Sequence, residues 1–126
     1  MITLKTLLLA IMMVETGGCI NPNEAIGDNG RSVGCMQIQM CVIQDVNRVY
    51  GTNLSSEDRN SRRASLAIAE AYLRHWGKVY TQRTGKKPTG EVYAKIWNGG
   101  ALAYEKTNPK VVNNLNNYWK KVRQAL

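Results

Sequence analysis

The reading of this chain turns on residues 14–39, VETGGCINPNEAIGDNGRSVGCMQIQ. A single carboxylate, Glu15, ends a run that is otherwise almost wholly apolar, and a glycine-rich polar loop separates it from a second apolar cluster. The run itself, MITLKTLLLAIMMV, admits two readings. Lys5 followed by an apolar core from Thr6 to Val14 has the layout of a secretory signal, too short to span a bilayer, and TGGC has the look of a lipoprotein cleavage site at Cys19. Glu15, however, stands where such a site wants a small uncharged residue. The same stretch also reads as a buried helix with Thr3 as N-cap and Gly17-Gly18 as terminator. The helix is preferred, which leaves no convincing signal peptide. Its apolar excess (Leu7, Leu8, Leu9, Met12, Met13) points to contact with another subunit or domain; the oligomeric state stays open.

Downstream of Glu15 the loop is rich in turn chemistry: Asn21-Pro22-Asn23, Gly27-Asp28-Asn29-Gly30 and Gly34. Proline presets φ, and glycine and asparagine accept positive φ. Short strands in AI and SVGCMQI are expected to form a small hairpin around Asp28-Asn29-Gly30. Residues 40–51 put Val42, Val46, Val49 and Tyr50 on one helical face and stop at Gly51. A long helix is expected from Ser55 or Ser56, with Glu57 and Asp58 in its first turn. Its apolar series is Leu66, Ala69, Leu73, Trp76 and Tyr80, and Trp76 is assigned to the core. EVYAKIWNGG is a short helix ended by Gly99-Gly100, and a terminal helix begins near Pro109. The expectation is one domain, residues 1–126, of the α+β class: mainly helical with a small N-terminal β-hairpin element.

Composition narrows the partners. At 126 residues, a chain buries roughly two-thirds of its unfolded surface without staples. Six tyrosines and three tryptophans must supply all aromatic contacts, because phenylalanine is absent. A net charge of +8 favours an anionic partner, whether nucleic acid, an anionic membrane or a wall carrying acidic polymers. No nucleic-acid motif is present, so that partner ranks last. The pairs Arg62-Arg63, Lys86-Lys87 and Lys120-Lys121 are solvated faces that together suit an anionic surface. Cysteines 19, 35 and 41 are odd in number, which allows one disulfide and no complete framework. With one histidine, His75, and no CxxC spacing, no metal or other cofactor is expected.

A carboxyl buried against apolar side chains stays protonated to higher pH, because water no longer solvates its anion. Cleavage of a glycosidic bond needs such an acid to protonate a poor leaving group. Glu15, flanked by Met12, Met13 and Val14, is placed for that role. As a mere helix-end residue it would oppose the helix dipole.

VETGG, AIGDNGRSVGCMQI and AKIWNGG, in that order over roughly residues 5–100, resemble segments of the lysozyme-like superfamily. The nearest patterns are invertebrate-type lysozymes and soluble lytic transglycosylases. The resemblance implies a lysozyme-like fold with a sugar groove, and Glu15 as the general acid. It places Gly34, Cys35, Met36, Gln37 and Ile38 on a groove strand and Trp97, Asn98, Gly99 and Gly100 on a late segment beside it. Thr16 takes the place of a serine and keeps its hydroxyl. Ser32 stands where hen-type lysozymes have their second carboxylate, and Asp28 is the nearest match to the loop aspartate of the invertebrate-type enzymes. The implied substrate-binding set is Ser32, Gln37, Ile38, Tyr93, Trp97 and Asn98, with Tyr93 and Trp97 one helical turn apart for stacking on sugar faces. Gln37 is suited to bond an acetamido group. Glu24 is read as a surface charge, and Asp45 as a partner for Arg48. The implied activity is cleavage of the β-1,4 bond between N-acetylmuramic acid and N-acetylglucosamine in peptidoglycan glycan strands, at the bacterial cell wall. A lytic transglycosylase giving 1,6-anhydro products, and an inactive saccharide-binding module, are the alternatives.

Overall fold

The computed structural model describes residues 2–126. Five helices, α1 (Leu4–Thr16), α2 (Met40–Tyr50), α3 (Arg62–Thr84), α4 (Gly90–Gly99) and α5 (Pro109–Gln124), accompany one antiparallel pair, β1 (Ile26–Gly27) and β2 (Ser32–Val33). Mainly helical with one small hairpin is therefore the architecture.

Helix α1 forms where its sequence demands. The Thr3 side chain accepts from the Thr6 amide, and Gly17 ends the helix in the left-handed conformation at φ 65°. Leu7, Leu8, Ala10, Ile11 and Met12 are buried against α3, α4 and α5. Each large aliphatic side chain so buried stabilises the fold by about 1.5–3 kcal/mol. Leu9 and Met13 remain outside, on the opposite face. Among the described residues no helix is long and apolar enough to cross a membrane.

Two expectations are corrected in detail. The buried face of α2 is Ile43 and Val46 rather than the Val46–Val49–Tyr50 side; Val42 and Val49 are half-buried and Tyr50 is exposed. The exposed Tyr50 ring lies along α3, where its hydroxyl donates to the carbonyl of Ala71 at 3.0 Å. The long helix α3 starts at Arg62, later than the serine pair. Ser55 and Asp58 do form a capping box, but on a 3-10 turn, Ser56–Asn60, and Ser61 caps α3 itself. The break lets Arg59 turn inward. It is only 8% exposed, and its guanidinium donates to the carbonyls of Ser56, Arg31 and Ile38.

The hairpin occurs around Asp28-Asn29-Gly30, with Ile26 opposite Val33 and Gly27 opposite Ser32. The expected second strand is cut short after Val33. Gly34 adopts φ 84° and lies so close to the Arg59 carbonyl that a Cβ there would collide with it. The chain then turns through Gln37 and returns as a single bridge, Val33 to Ile38. Cys19 and Cys35 are disulfide-bonded and Cys41 is a free, exposed thiol. The Thr16 hydroxyl donates to the Cys35 carbonyl at 2.9 Å, a second tie between the end of α1 and the hairpin.

Candidate functional site

The last turn of α1, the hairpin, the start of α2, the middle of α3 and the end of α4 enclose a cleft of about 450 Å³. Glu15, Asp28, Ser32, Gln37, Trp97 and Asn98 all line it, so most of the expected site residues are brought together. Ile38 and Tyr93 are not. Ile38 is fully buried in the core and serves the site only through its backbone, whose carbonyl accepts from Arg59 at 2.9 Å. The Tyr93 ring lies over Gly77 of α3 and opens on a different depression. Its one-turn spacing from Trp97 is real, but the two side chains serve separate concavities.

Glu15 projects from the end of α1 into this cleft. Its Oε2 accepts from the Tyr118 hydroxyl at 2.6 Å, across 103 residues of sequence. Burial raises the Glu15 carboxyl above its ordinary range. The Tyr118 hydrogen bond opposes that rise, and the neighbouring Asp28 charge adds to it. Burial and the adjacent carboxylate likewise push the Tyr118 phenol upward, so it stays a donor. With Oε2 occupied by that donor, Oε1 is the oxygen left for a ligand.

Asp28 sits in the hairpin turn at φ 50°, followed by Asn29 at φ 57°. Aspartate and asparagine tolerate this region better than most residues. The Ser32 hydroxyl donates to Asp28 Oδ2 at 2.6 Å, and Gln39 Nε2 donates to Ser32 Oγ at 3.4 Å. Ser32 thus orients the Asp28 carboxylate. Gln37 is also at positive φ, 54°. Its amide donates to the carbonyls of Ala25 and Gly34, at 2.9 and 3.0 Å. A Cβ on Gly27 would collide with the Gln37 amide oxygen, so the glycine admits that side chain against the hairpin. Both Gln37 amide hydrogens are committed to backbone, and Oε1, packed beside Gly27, is left without a hydrogen-bond donor among the described residues.

On the opposite wall Tyr72 of α3 packs edge-on against Trp97, ring centres 5.8 Å apart. Burial, then the nearby Asp45 and Cys41, push the Tyr72 phenol up to about 12. The Trp97–Gly100 segment has a packing reason of its own. A Cβ on Gly99 would come within 2.6 Å of Leu115 Cδ2, and Gly100 at φ 99° ends α4. The glycines let α4 approach α5 and so bring Tyr118 toward Glu15. Tyr118, Tyr72 and Gln39 are the site residues that the sequence did not disclose.

Asp45 pairs with Arg48 at 3.3 Å, as its spacing implies, and also accepts from the Trp76 indole at 3.2 Å. Among the described residues no group of three or more His, Cys, Asp or Glu side chains is gathered to hold a metal ion. Compared with known proteins, the chain matches no family model, and no curated protein matches it significantly.

Proposed function

We propose that this chain is a peptidoglycan glycosidase of the muramidase type, with a lysozyme-like arrangement in which Glu15 is the general acid. The observation that carries the reading is a half-buried glutamate, its carboxyl raised above the ordinary range by burial, aimed into a cleft that also contains a second carboxylate and an aromatic wall. Glu15 Oε1 delivers its proton to the glycosidic oxygen as the bond to the sugar breaks. Tyr118 holds the other oxygen, fixing the direction of delivery. Asp28, oriented by Ser32, places negative charge near the oxocarbenium-like sugar, and the ionised Glu15 then takes a proton from the attacking water. Trp97 offers a face for sugar packing, and Gln37 Oε1 accepts from an acetamido N–H. These residues make the set act on N-acetylated sugars rather than on plain hexoses.

One observation favours the transglycosylase variant of the same chemistry. Asp28 Oδ2 is already engaged by Ser32 within its own hairpin, as a residue that only fastens the turn would be. In that variant the substrate's own hydroxyl attacks, Glu15 serves as acid and then base, and Asp28 has no chemical part.

Digestion of purified peptidoglycan, with mass spectrometry of the released fragments, tests both. Reducing-end muropeptides are expected from the wild type, with loss of roughly 10²- to 10⁴-fold in rate for Glu15→Gln. Asp28→Asn is expected to lose about 10²-fold. Fragments lighter by one water, with Asp28→Asn near wild type, would select the transglycosylase. Release that is unaffected by Glu15→Gln would overturn the assignment of the acid.

A further inference from the structure

A second depression, of about 380 Å³, lies between the end of α2, the middle of α3 and the start of α4. Tyr50, Arg74, Gly77, Lys78, Pro88 and Tyr93 line it, and it shares no residue with the Glu15 cleft. Its depth comes from Gly77. A Cβ at that position would sit 2.7 Å from Tyr93 Cε1, so the missing side chain is what lets the Tyr93 ring lie on α3. Tyr50 is 48% exposed, yet its ring is fixed, because its hydroxyl donates to the Ala71 carbonyl. The Tyr93 hydroxyl and the Lys78 ammonium have no hydrogen-bond or ion-pair partner among the described residues. Arg74 is paired with Glu70 at 3.6 Å, and no carboxylate lines the depression itself among the described residues.

Two held phenol rings, a free hydroxyl and two cations around a concave floor suit a ligand with a flat apolar face and an acidic group. Rings pack on the C–H face of a sugar, and cations take a carboxylate through charge-assisted hydrogen bonds. A single-stranded nucleic acid would ask for a track of cations along its backbone, with successive stacking platforms; here the two cations are one helical turn apart on α3. We propose that this depression is a second saccharide-binding site, taking a carboxylate-bearing sugar of the wall polymer and holding the protein on its substrate outside the cleft. The choice of peptidoglycan as that polymer rests on the function proposed above.

The test is an amide-shift titration by NMR on the Glu15→Gln chain, which removes turnover. The probes are a soluble disaccharide muropeptide, neutral chitotriose and a short oligothymidylate. The muropeptide is expected to shift the amides of Gly77, Lys78 and Tyr93, with chitotriose at least tenfold weaker there. Lys78→Glu and, separately, Tyr93→Ala, each checked for an unchanged spectral dispersion, are expected to weaken the muropeptide at this position by about tenfold or more. Shifts confined to the Glu15 cleft, or affinities there unmoved in both variants, would overturn the site. Tighter binding of oligothymidylate than of muropeptide would overturn its saccharide character. The two proposals fail separately. A wild type that releases no fragments from peptidoglycan refutes the enzyme, whereas the titration reads the depression alone.

Discussion

From α3 onward the chain is built on three α-helices whose caps and apolar faces account for their positions, whereas residues 17–39 hold two strands of two residues each and two single 3-10 turns. Ser61 and Asn108 cap α3 and α5 by side-chain hydrogen bonds, Gly85 ends α3 in the left-handed conformation, and Leu73, Ile96, Leu115 and Val122 lie at the centre. In the described chain, every non-glycine residue at positive φ lies in the short segment: Cys19, Asp28, Asn29 and Gln37. Such residues cost on the order of 1 kcal/mol or more each unless their surroundings dictate them. The segment therefore cannot set its own shape. The Cys19–Cys35 disulfide and the Gln37 amide brace it across its own length, and the Thr16 hydroxyl and the Arg59 guanidinium fix it from outside. The strained segment supplies Asp28, Ser32 and Gln37 to the cleft, and the helices supply Glu15, Asn98, the aromatic wall and the Tyr118 phenol. Precision at the site depends on rivets, and stability depends on the body.

Breaking the largest rivet separates the two. Arg59→Leu removes three guanidinium hydrogen bonds and leaves the carbonyls of Arg31 and Ile38 without that donor. Hydrogen bonds to a charged group contribute about 1.5–3 kcal/mol each, so a loss of about 4 kcal/mol in urea unfolding is expected. Activity per folded molecule should fall with it, because Asp28 and Gln37 lie on the segment released. A variant that keeps wild-type activity would show that the hairpin holds itself.

The disulfide gives the next contrast. Cys19→Ser with Cys35→Ser opens a bridge spanning 16 residues, worth about 3 kcal/mol in the chain-entropy account. Leu73→Ala, deep in α3, costs a similar 2–5 kcal/mol through its cavity. Both should lower the urea midpoint comparably. Only the serine pair is expected to lower the rate at a temperature where both variants are fully folded, by about tenfold. Equal rates would mean that the bridge stabilises without positioning.

The same division explains what could be read beforehand. The helices were legible because caps, glycine stops and 3.6-residue periodicity are local signals; α1, α4 and α5 stand where those signals put them. The start of α3 was misplaced because the Ser55–Asp58 capping box is genuine but belongs to a 3-10 turn. The hairpin turn was legible in Asp28-Asn29-Gly30, yet the truncation after Val33 was not, since it depends on Gly34 meeting Arg59 from a distant turn. At the site, Glu15, Asp28, Ser32, Gln37, Trp97 and Asn98 were named from the chain. Ile38 was lost because strand alternation fails where the strand ends, and Tyr93 because a shared helical face does not guarantee a shared cleft. Tyr118 left no local trace, since its partner is on the first helix.

Tyr118→Phe tests that long-range pair and carries the smallest stability change. The hydroxyl bond to Glu15 lowers the carboxyl against the stronger upward push of burial. Without it Glu15 rises further, so the alkaline limb of kcat/KM, where the acid form is lost, should move to higher pH. Maximal kcat should still fall by about tenfold, with KM little changed, because the proton is no longer confined to Oε1. Stability gives an independent reading. A carboxyl raised in the folded state stabilises fully below its unfolded pKa, the ordinary glutamate value of 4.5, and that contribution is lost as pH rises through the folded value. The phenylalanine variant raises the folded value further and therefore loses more between acid and neutral pH. Its deficit against wild type should be about 1 kcal/mol at pH 4, where a neutral bond is missing, and about 2 kcal/mol at pH 7, where the bond to the anion is missing. Equal deficits at the two pH values would show that Tyr118 meets Glu15 without governing its proton, and would leave burial alone to set the acid.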